Sequence, residues 1–335
     1  MITVKVTTSF DNKLSGLFLR QTPGENGIWG KCKFIVNQPL EQCDWWFVCH
    51  YSALRIPEST ICDDNHLVFI SMEPTDSWIS SSFFNQFSQL VLCDRNVSHP
   101  NIKYTNGTTW WVGMGVKHEN GHHFTPDFTL TYDILKAMTV PEKRNRISII
   151  CSRNKSLPGH TKRLEFLDRL MDHPISKHID FYGGGFRPII DKWDAIVPYK
   201  YHLVLENSMI PDYWSEKLGD AFLGYAYPIY YGCPNISNYF KPESLKTIDI
   251  NQFDKTVAIL ENLLLQDQYA DHLPNILDAR NKVLNDYNIF QLMSDICNEP
   301  AKMVKKCKLK PEGYFKPSRT LRVASKIIYR LRRLK

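Results

Sequence analysis

Between residues 147 and 250 apolar runs and helix-like stretches alternate regularly. Four short apolar runs, ISIICS (147–152), IDFYGGG (179–185), YHLVLENS (201–208) and YPIYYG (227–232), are separated by turns and by stretches with helical spacing. In 160–173, Leu164, Leu167 and Leu170 with Met171 recur at i, i+3 and i+6/7, and 213–225 gives a second helix. A last strand is expected at 245–250, and 254–305 reads as largely helical. Strands alternating with helices of about 10–15 residues close as βαβ units, which makes the sheet parallel. Ligands of such sheets sit beyond the carboxyl ends of the strands, so the polar residues that end each run are the first candidates for a site.

The first 140 residues follow a looser version of the pattern. Strands are expected at 2–8, 45–50, 66–72 and 89–94, as apolar runs bounded by turns suit strands covered on both faces. The segment KHENGHHFTPD (117–127) reads as loop, and TVPEKRNR around Pro141 reads as a linker. The expected organisation is α/β: an N-terminal domain over 1–140, a second over 146–300 and a tail over 302–335. A length of 335 residues is ample for two cores. No run approaches 18 apolar residues, so no membrane-spanning helix is expected.

Charge is unevenly placed. The tail carries 13 of the 41 Lys and Arg residues and only one of the 35 acids, Glu312, so the body is mildly acidic. That disfavours nucleic acid as a partner of the body. Within 318–335, Leu321, Ala324, Ile327, Ile328, Leu331 and Leu334 share a helical face, with Arg319, Arg322, Lys326, Arg330 and Arg333 largely opposite. Such a basic amphipathic helix suits an anionic membrane surface. The nine scattered cysteines form no C-x-x-C pair and are expected as reduced core thiols. The start MITVKV alternates like a strand and lacks signal-peptide character, which leads to the expectation of a cytoplasmic protein attached peripherally to the inner face of a bacterial membrane.

The densest chemistry lies in 199–240. A buried strand ends in Glu206-Asn207-Ser208, and a proline turn leads to Tyr213 and then Ser215-Glu216-Lys217 at a helix start. Free N–H groups there attract an anion, and Lys217 sits where the helix dipole disfavours a cation unless an anion arrives. Ser215 as an ordinary N-cap, with Glu216 as a first-turn acid, accounts for the same residues. Upstream, Ser152 and Asn154 follow a strand, Arg163 lies on the next helix, and Tyr182-Gly183 enters a glycine turn where backbone can approach a ligand closely. In the first half, VFISMEPTDSW ends a buried strand with Glu73, with Asp76 close by. His118, His122 and His123 lack a partner at metal-ligand spacing, Asp63-Asp64 is no metal site, and no D-x-D motif follows a strand; no metal site is expected.

The order ENS…PDYWSEKL…AYPIYYG resembles the donor-site signature of glycosyltransferase family 10, the α-1,3/4-fucosyltransferases, over about 40 residues. The likeness extends weakly upstream to about residue 147 and is thin before 140. The resemblance implies a GT-B-like fold, two Rossmann-like domains facing across a cleft, here with a C-terminal basic amphipathic helix. It also implies metal-independent, inverting transfer of fucose from GDP-fucose to a glycan hydroxyl, in a bacterial-type enzyme of surface-glycan synthesis. Glu73 stands at the place of the general base, although the family more often has E-S-P where this chain has Met-Glu-Pro, so Asp76 is a rival. Glu216 would act on the transferred sugar. Ser152, Asn154, Arg163, Tyr182, Gly183, Glu206, Asn207, Ser208, Tyr213 and Lys217 would bind the donor. Another donor sugar on the same fold, or a non-catalytic glycan- or lipid-binding module, are the alternatives.

Overall fold

The computed structural model describes residues 1–10, 15–107, 109–117, 123–153 and 158–316. Asn154, His118, His122 and the basic helix expected at 318–335 lie outside the described residues.

The first half contains β1 (Ile2–Thr8), β2 (Ile28–Trp29), β3 (Cys32–Val36), β4 (Trp45–Cys49), β5 (Glu58–Cys62), β6 (Leu67–Ile70), β7 (Gln89–Leu92) and β8 (Ile102–Tyr104). Seven of these form one sheet in the order β2-β3-β1-β4-β6-β7-β8, parallel except for the β2–β3 pair. The short helices α1 (Gly16–Leu19) and α2 (Ser81–Phe84) belong to this half. Strands β4 and β6 are buried along their whole length, as their unbroken apolar runs require. Sequence reading missed β3 and β8. β3 carries Lys33 between its apolar residues, and Lys103 and Tyr104 of β8 are exposed, so neither gives a continuous apolar run.

β9 (Met114–Lys117) and β10 (His123–Phe128) pair antiparallel and lead into α3 (Tyr132–Ala137). The stretch expected as loop is therefore partly strand, and the register of the pair shifts between Phe124 and Phe128. The second sheet has the order β12-β11-β13-β14-β15, all parallel, from β11 (Arg144–Ile150), β12 (Ile179–Tyr182), β13 (Tyr199–Leu205), β14 (Tyr227–Tyr231) and β15 (Lys246–Thr247). Its crossovers include α4 (Pro158–Asp172) and α5 (Glu216–Leu223), the expected βαβ order. α5 starts three residues later than expected, since Ser215 is its N-cap and accepts the Lys217 N–H at 3.3 Å.

α6 (Phe253–Gln266) and α7 (Tyr269–Leu284) pack on the second sheet, but the chain does not stay there. α8 (Ile289–Ile296) lays Ile289, Phe290, Met293 and Ile296 against the β1, β3 and β4 core of the first half. Burying four such side chains is worth roughly 6–12 kcal/mol before the entropy of ordering them. β16 (Lys305–Leu309) then pairs antiparallel with β5. Conversely, Trp110, Val112, Leu130, Tyr132 and Leu135 are buried in the core of the second half. The linear division at 140 and 300 is thus crossed in both directions, and 302–316 is folded chain rather than tail. All nine cysteines are buried free thiols. Among the described residues, no helix is long and apolar enough to cross a membrane.

Candidate active site between the two parallel sheets

A cleft of about 610 Å³ opens where the carboxyl ends of both sheets meet. From the first half come Phe10, His50 and Glu73, which follow β1, β4 and β6. From the second come Cys151 and Ser152 after β11, Gly183 and Gly184 after β12, Leu205 at the end of β13, and Tyr213, Glu216 and Lys217 at the start of α5. The strand-end rule applied to the sequence points to the ends of β11, β12, β13 and β14; residues at the ends of the first three line the cleft, and those after β14 do not.

Gly183 makes the close approach possible. Its φ is +108°, and a Cβ there would lie 2.2 Å from the Cys151 carbonyl oxygen. Arg163, 6% exposed, reaches in from α4 and donates from Nη1 to the Leu205 carbonyl at 3.0 Å. Its Nε is buried without a partner, and it forms no ion pair among the described residues. A guanidinium on a cleft-lining residue, with its Nε–H unpaired, suits an oxyanion. Tyr213, nearly buried, follows Asp212, whose left-handed backbone (φ +67°) is held by Asn235, Tyr239 and Arg95. Burial raises the Tyr213 phenol well above its usual range, so it meets a ligand as a neutral hydroxyl.

Around α5 the charges alternate. Lys217 Nζ lies 3.5 Å from Glu206 and 3.4 Å from Glu216; Lys192 Nζ lies 3.2 Å from both Glu216 and Asp220. Burial alone would raise the Glu216 carboxyl, but Lys217 and then Lys192 outweigh it and hold it down at about 2. Burial would likewise lower both lysines, but Glu216, with Glu206 for Lys217 and Asp220 for Lys192, raises them. Asp220, fully buried, is pushed up by desolvation. The anion expected to offset Lys217 is therefore partly supplied from within, whereas Arg163 has no such carboxylate among the described residues. His202 on the cleft floor is lowered to about 3 by burial and by Lys192 and Lys143; it is neutral, with Nδ1 2.8 Å from the Ser148 hydroxyl.

Four residues expected at the donor do not line the cleft. The Tyr182 hydroxyl turns back to the Tyr199 hydroxyl at 2.6 Å. Glu206 is fully buried beneath Ser215, taking its N–H and hydroxyl at 2.8 Å, and so braces the helix start. Asn207 and Ser208 are half-buried just beyond β13. Of the two candidate bases, Glu73 lines the cleft and Asp76 does not: Asp76 is fully buried, and desolvation lifts its carboxyl to about 7. His50, Lys192 and Asp220 were not foreseen. His50 ends a buried strand and the strand-end rule would have found it; Lys192, in the turn Lys192–Ala195, has no local signal. Among the described residues, no cluster of three or more His, Cys, Asp or Glu is placed to hold a metal ion.

The two halves are tied above the cleft floor by residues 110–113. Buried Arg20 donates to the carbonyls of Trp110 and Val112 at 2.9 and 2.7 Å, while Asp220 accepts the N–H groups of Trp111 and Val112 and Asp191 that of Gly113.

This arrangement can be set beside known proteins. A family model described as glycosyltransferase family 10 (fucosyltransferase), C-terminal, matches residues 140–309. A stretch of 130 residues is 31% identical to the alpha-(1,3)-fucosyltransferase FucT of Helicobacter pylori, covering 37% of this chain and 25% of that protein. Another, of 133 residues, is 27% identical to alpha-(1,3)-fucosyltransferase B of Drosophila melanogaster, covering 38% and 29%. The alignments thus span less than a third of these relatives' length. A crystal structure of an alpha1,3-fucosyltransferase with GDP overlays with a TM-score of 0.47 and 16% identity, over 87% of this chain and 92% of that one. With its family match extending over half of its length, the chain belongs to glycosyltransferase family 10.

Proposed function

We propose that the chain transfers L-fucose from GDP-fucose, with inversion, to a glycan hydroxyl, on N-acetylglucosamine in a surface polysaccharide such as lipopolysaccharide O-antigen. The observation that carries this reading is Arg163, a buried guanidinium with a free Nε lining the same cleft as Lys217, opposite a cleft-facing carboxylate, Glu73. In this reading the acceptor oxygen gives its proton to Glu73 and attacks the anomeric carbon from the face opposite the diphosphate. The bond from that carbon to the diphosphate oxygen breaks, and Arg163 and Lys217 neutralise the departing GDP. Glu216, held ionised by two lysines, stabilises positive charge developing on the sugar ring. Tyr213, Ser152 and Gly183 contact the donor. Asn154 and residues 318–335 keep their expected roles, donor contact and attachment to an anionic membrane at the inner face of a bacterial cell, and no metal is required.

The test is nucleotide release from GDP-fucose and, separately, from UDP-, dTDP-, CMP- and other GDP-sugars, with and without EDTA. Turnover of GDP-fucose alone, unaffected by EDTA and lost in Lys217→Ala, is expected. Release from another nucleotide sugar would overturn the fucose assignment. Truncation before residue 318 is expected to abolish flotation with anionic vesicles while leaving turnover on a soluble acceptor.

A further inference from the structure

His50 and Glu73 leave the carboxyl ends of neighbouring strands, β4 and β6, whose residues Cys49 and Ile70 are paired. Both line the cleft. The Glu73 side chain is 44% exposed, so nothing in its own packing fixes the carboxylate. What holds it is His50: Nε2 lies 3.2 Å from Glu73 Oε1. The direction of that bond follows from the other ring nitrogen. Nδ1 faces the Ser52 hydroxyl at 2.8 Å and the Ser52 backbone N–H at 3.3 Å. A backbone N–H only donates, so Nδ1 accepts and the ring proton resides on Nε2, aimed at the carboxylate.

The backbone is also unusual here. His50 has φ +83°, a left-handed value that strains a residue carrying a side chain. It is kept there by its N–H bond to the Ile70 carbonyl at 2.8 Å and by the Ala53 N–H bond to its own carbonyl at 3.1 Å. This conformation turns the imidazole from β4 toward Glu73. The other ionisable groups acting on the pair are Asp76 behind it, with Asp94 bonded to the Asp76 N–H, and Tyr213. The Tyr51 ring lies 4.2 Å from the imidazole, tilted by 39°.

We propose that His50 is a positioning residue, its Nε2–H holding the Glu73 carboxylate in the orientation from which it takes the acceptor proton. This rests on Glu73 being the base of the proposed transfer. Two variants separate positioning from folding. His50→Asn tolerates positive φ but is too short to reach Glu73; His50→Gln restores an N–H donor at similar reach. His50→Asn is expected to lower kcat about 10- to 100-fold with the KM for GDP-fucose unchanged, and His50→Gln to recover most of the loss. Unchanged kcat in His50→Asn, or no recovery in His50→Gln, overturns the proposal. If the wild type turns over no nucleotide sugar, the transfer reading fails separately, and imidazole ¹⁵N NMR decides. A neutral ring protonated at Nε2, whose resonance moves in Glu73→Gln, supports the hydrogen bond; a ring protonated at Nδ1 overturns it.

Discussion

Lys192 offers the sharpest test of how the charge network is built. It lies 3.2 Å from both Glu216 and Asp220, with about a quarter of its side chain exposed. At 3.2 Å and an effective dielectric near 20, each attraction is about 5 kcal/mol, against which the cost of desolvating the ammonium must be set. Lys192→Met keeps most of the stem volume and removes the charge. The net loss of stability is expected to be about 3 kcal/mol, the low end for breaking a buried pair, because the lysine is partly solvated. The pH dependence follows from Asp220, whose carboxyl burial already pushes up and which would lose its counter-ion. A folded-state carboxyl with a raised pKa stabilises below its unfolded pKa and loses that stability as pH rises through the folded value. The deficit of Lys192→Met should therefore be smallest at acid pH and grow as the pH rises. Urea unfolding followed by tryptophan fluorescence measures it. A deficit below about 1 kcal/mol at every pH, or one that grows on acidification, would refute the reasoning.

Arg163→Lys retains charge but not the planar donors, and is expected to weaken GDP binding by about 10-fold or more in calorimetry. Glu73→Gln should cut transfer by about 10²- to 10⁴-fold with GDP affinity unchanged, whereas Asp76→Asn should leave turnover within a few-fold. Asp76→Asn should also stabilise the fold progressively from about pH 4 to about pH 7 and by a constant amount above that, because desolvation lifts Asp76 to about 7 and its ionisation opposes folding; denaturant midpoints across that range check this. Gly183→Ala places a methyl against the Cys151 carbonyl in a positive-φ turn, and should lower both thermal stability and donor affinity.

What the sequence showed depended on whether a residue's role is local. The βαβ rhythm of the second half was legible because each strand is one apolar run, and Ser215 as N-cap because the capping residue sits beside the helix it caps. Glu73 and Arg163 were legible through strand ends and through family likeness. Lys192 and Asp220 were not, because each acquires meaning only from a partner 24 or more residues away. Glu206 misled for the same reason: a carboxylate at a strand end looks like a ligand-binding group until Ser215 is seen to fold over it. The return of α8 and β16 to the first half was hidden too, since an apolar helix face does not name the sheet that it covers.

The stretch 110–113 has a practical consequence for chimeric proteins. Its carbonyls answer to Arg20 and its N–H groups to Asp191 and Asp220, so inserting or deleting one residue would misalign buried donors and acceptors, at roughly 1–3 kcal/mol for each group left unpaired. A cut at the polar stretch near Pro141, which looks like the natural junction, would separate Trp110, Val112, Leu130, Tyr132 and Leu135 from the core they fill and leave α8 and β16 on the wrong fragment. An exchange of first halves between family members should instead cut before residue 109, rejoin after Leu284, and carry Arg20 with the incoming piece.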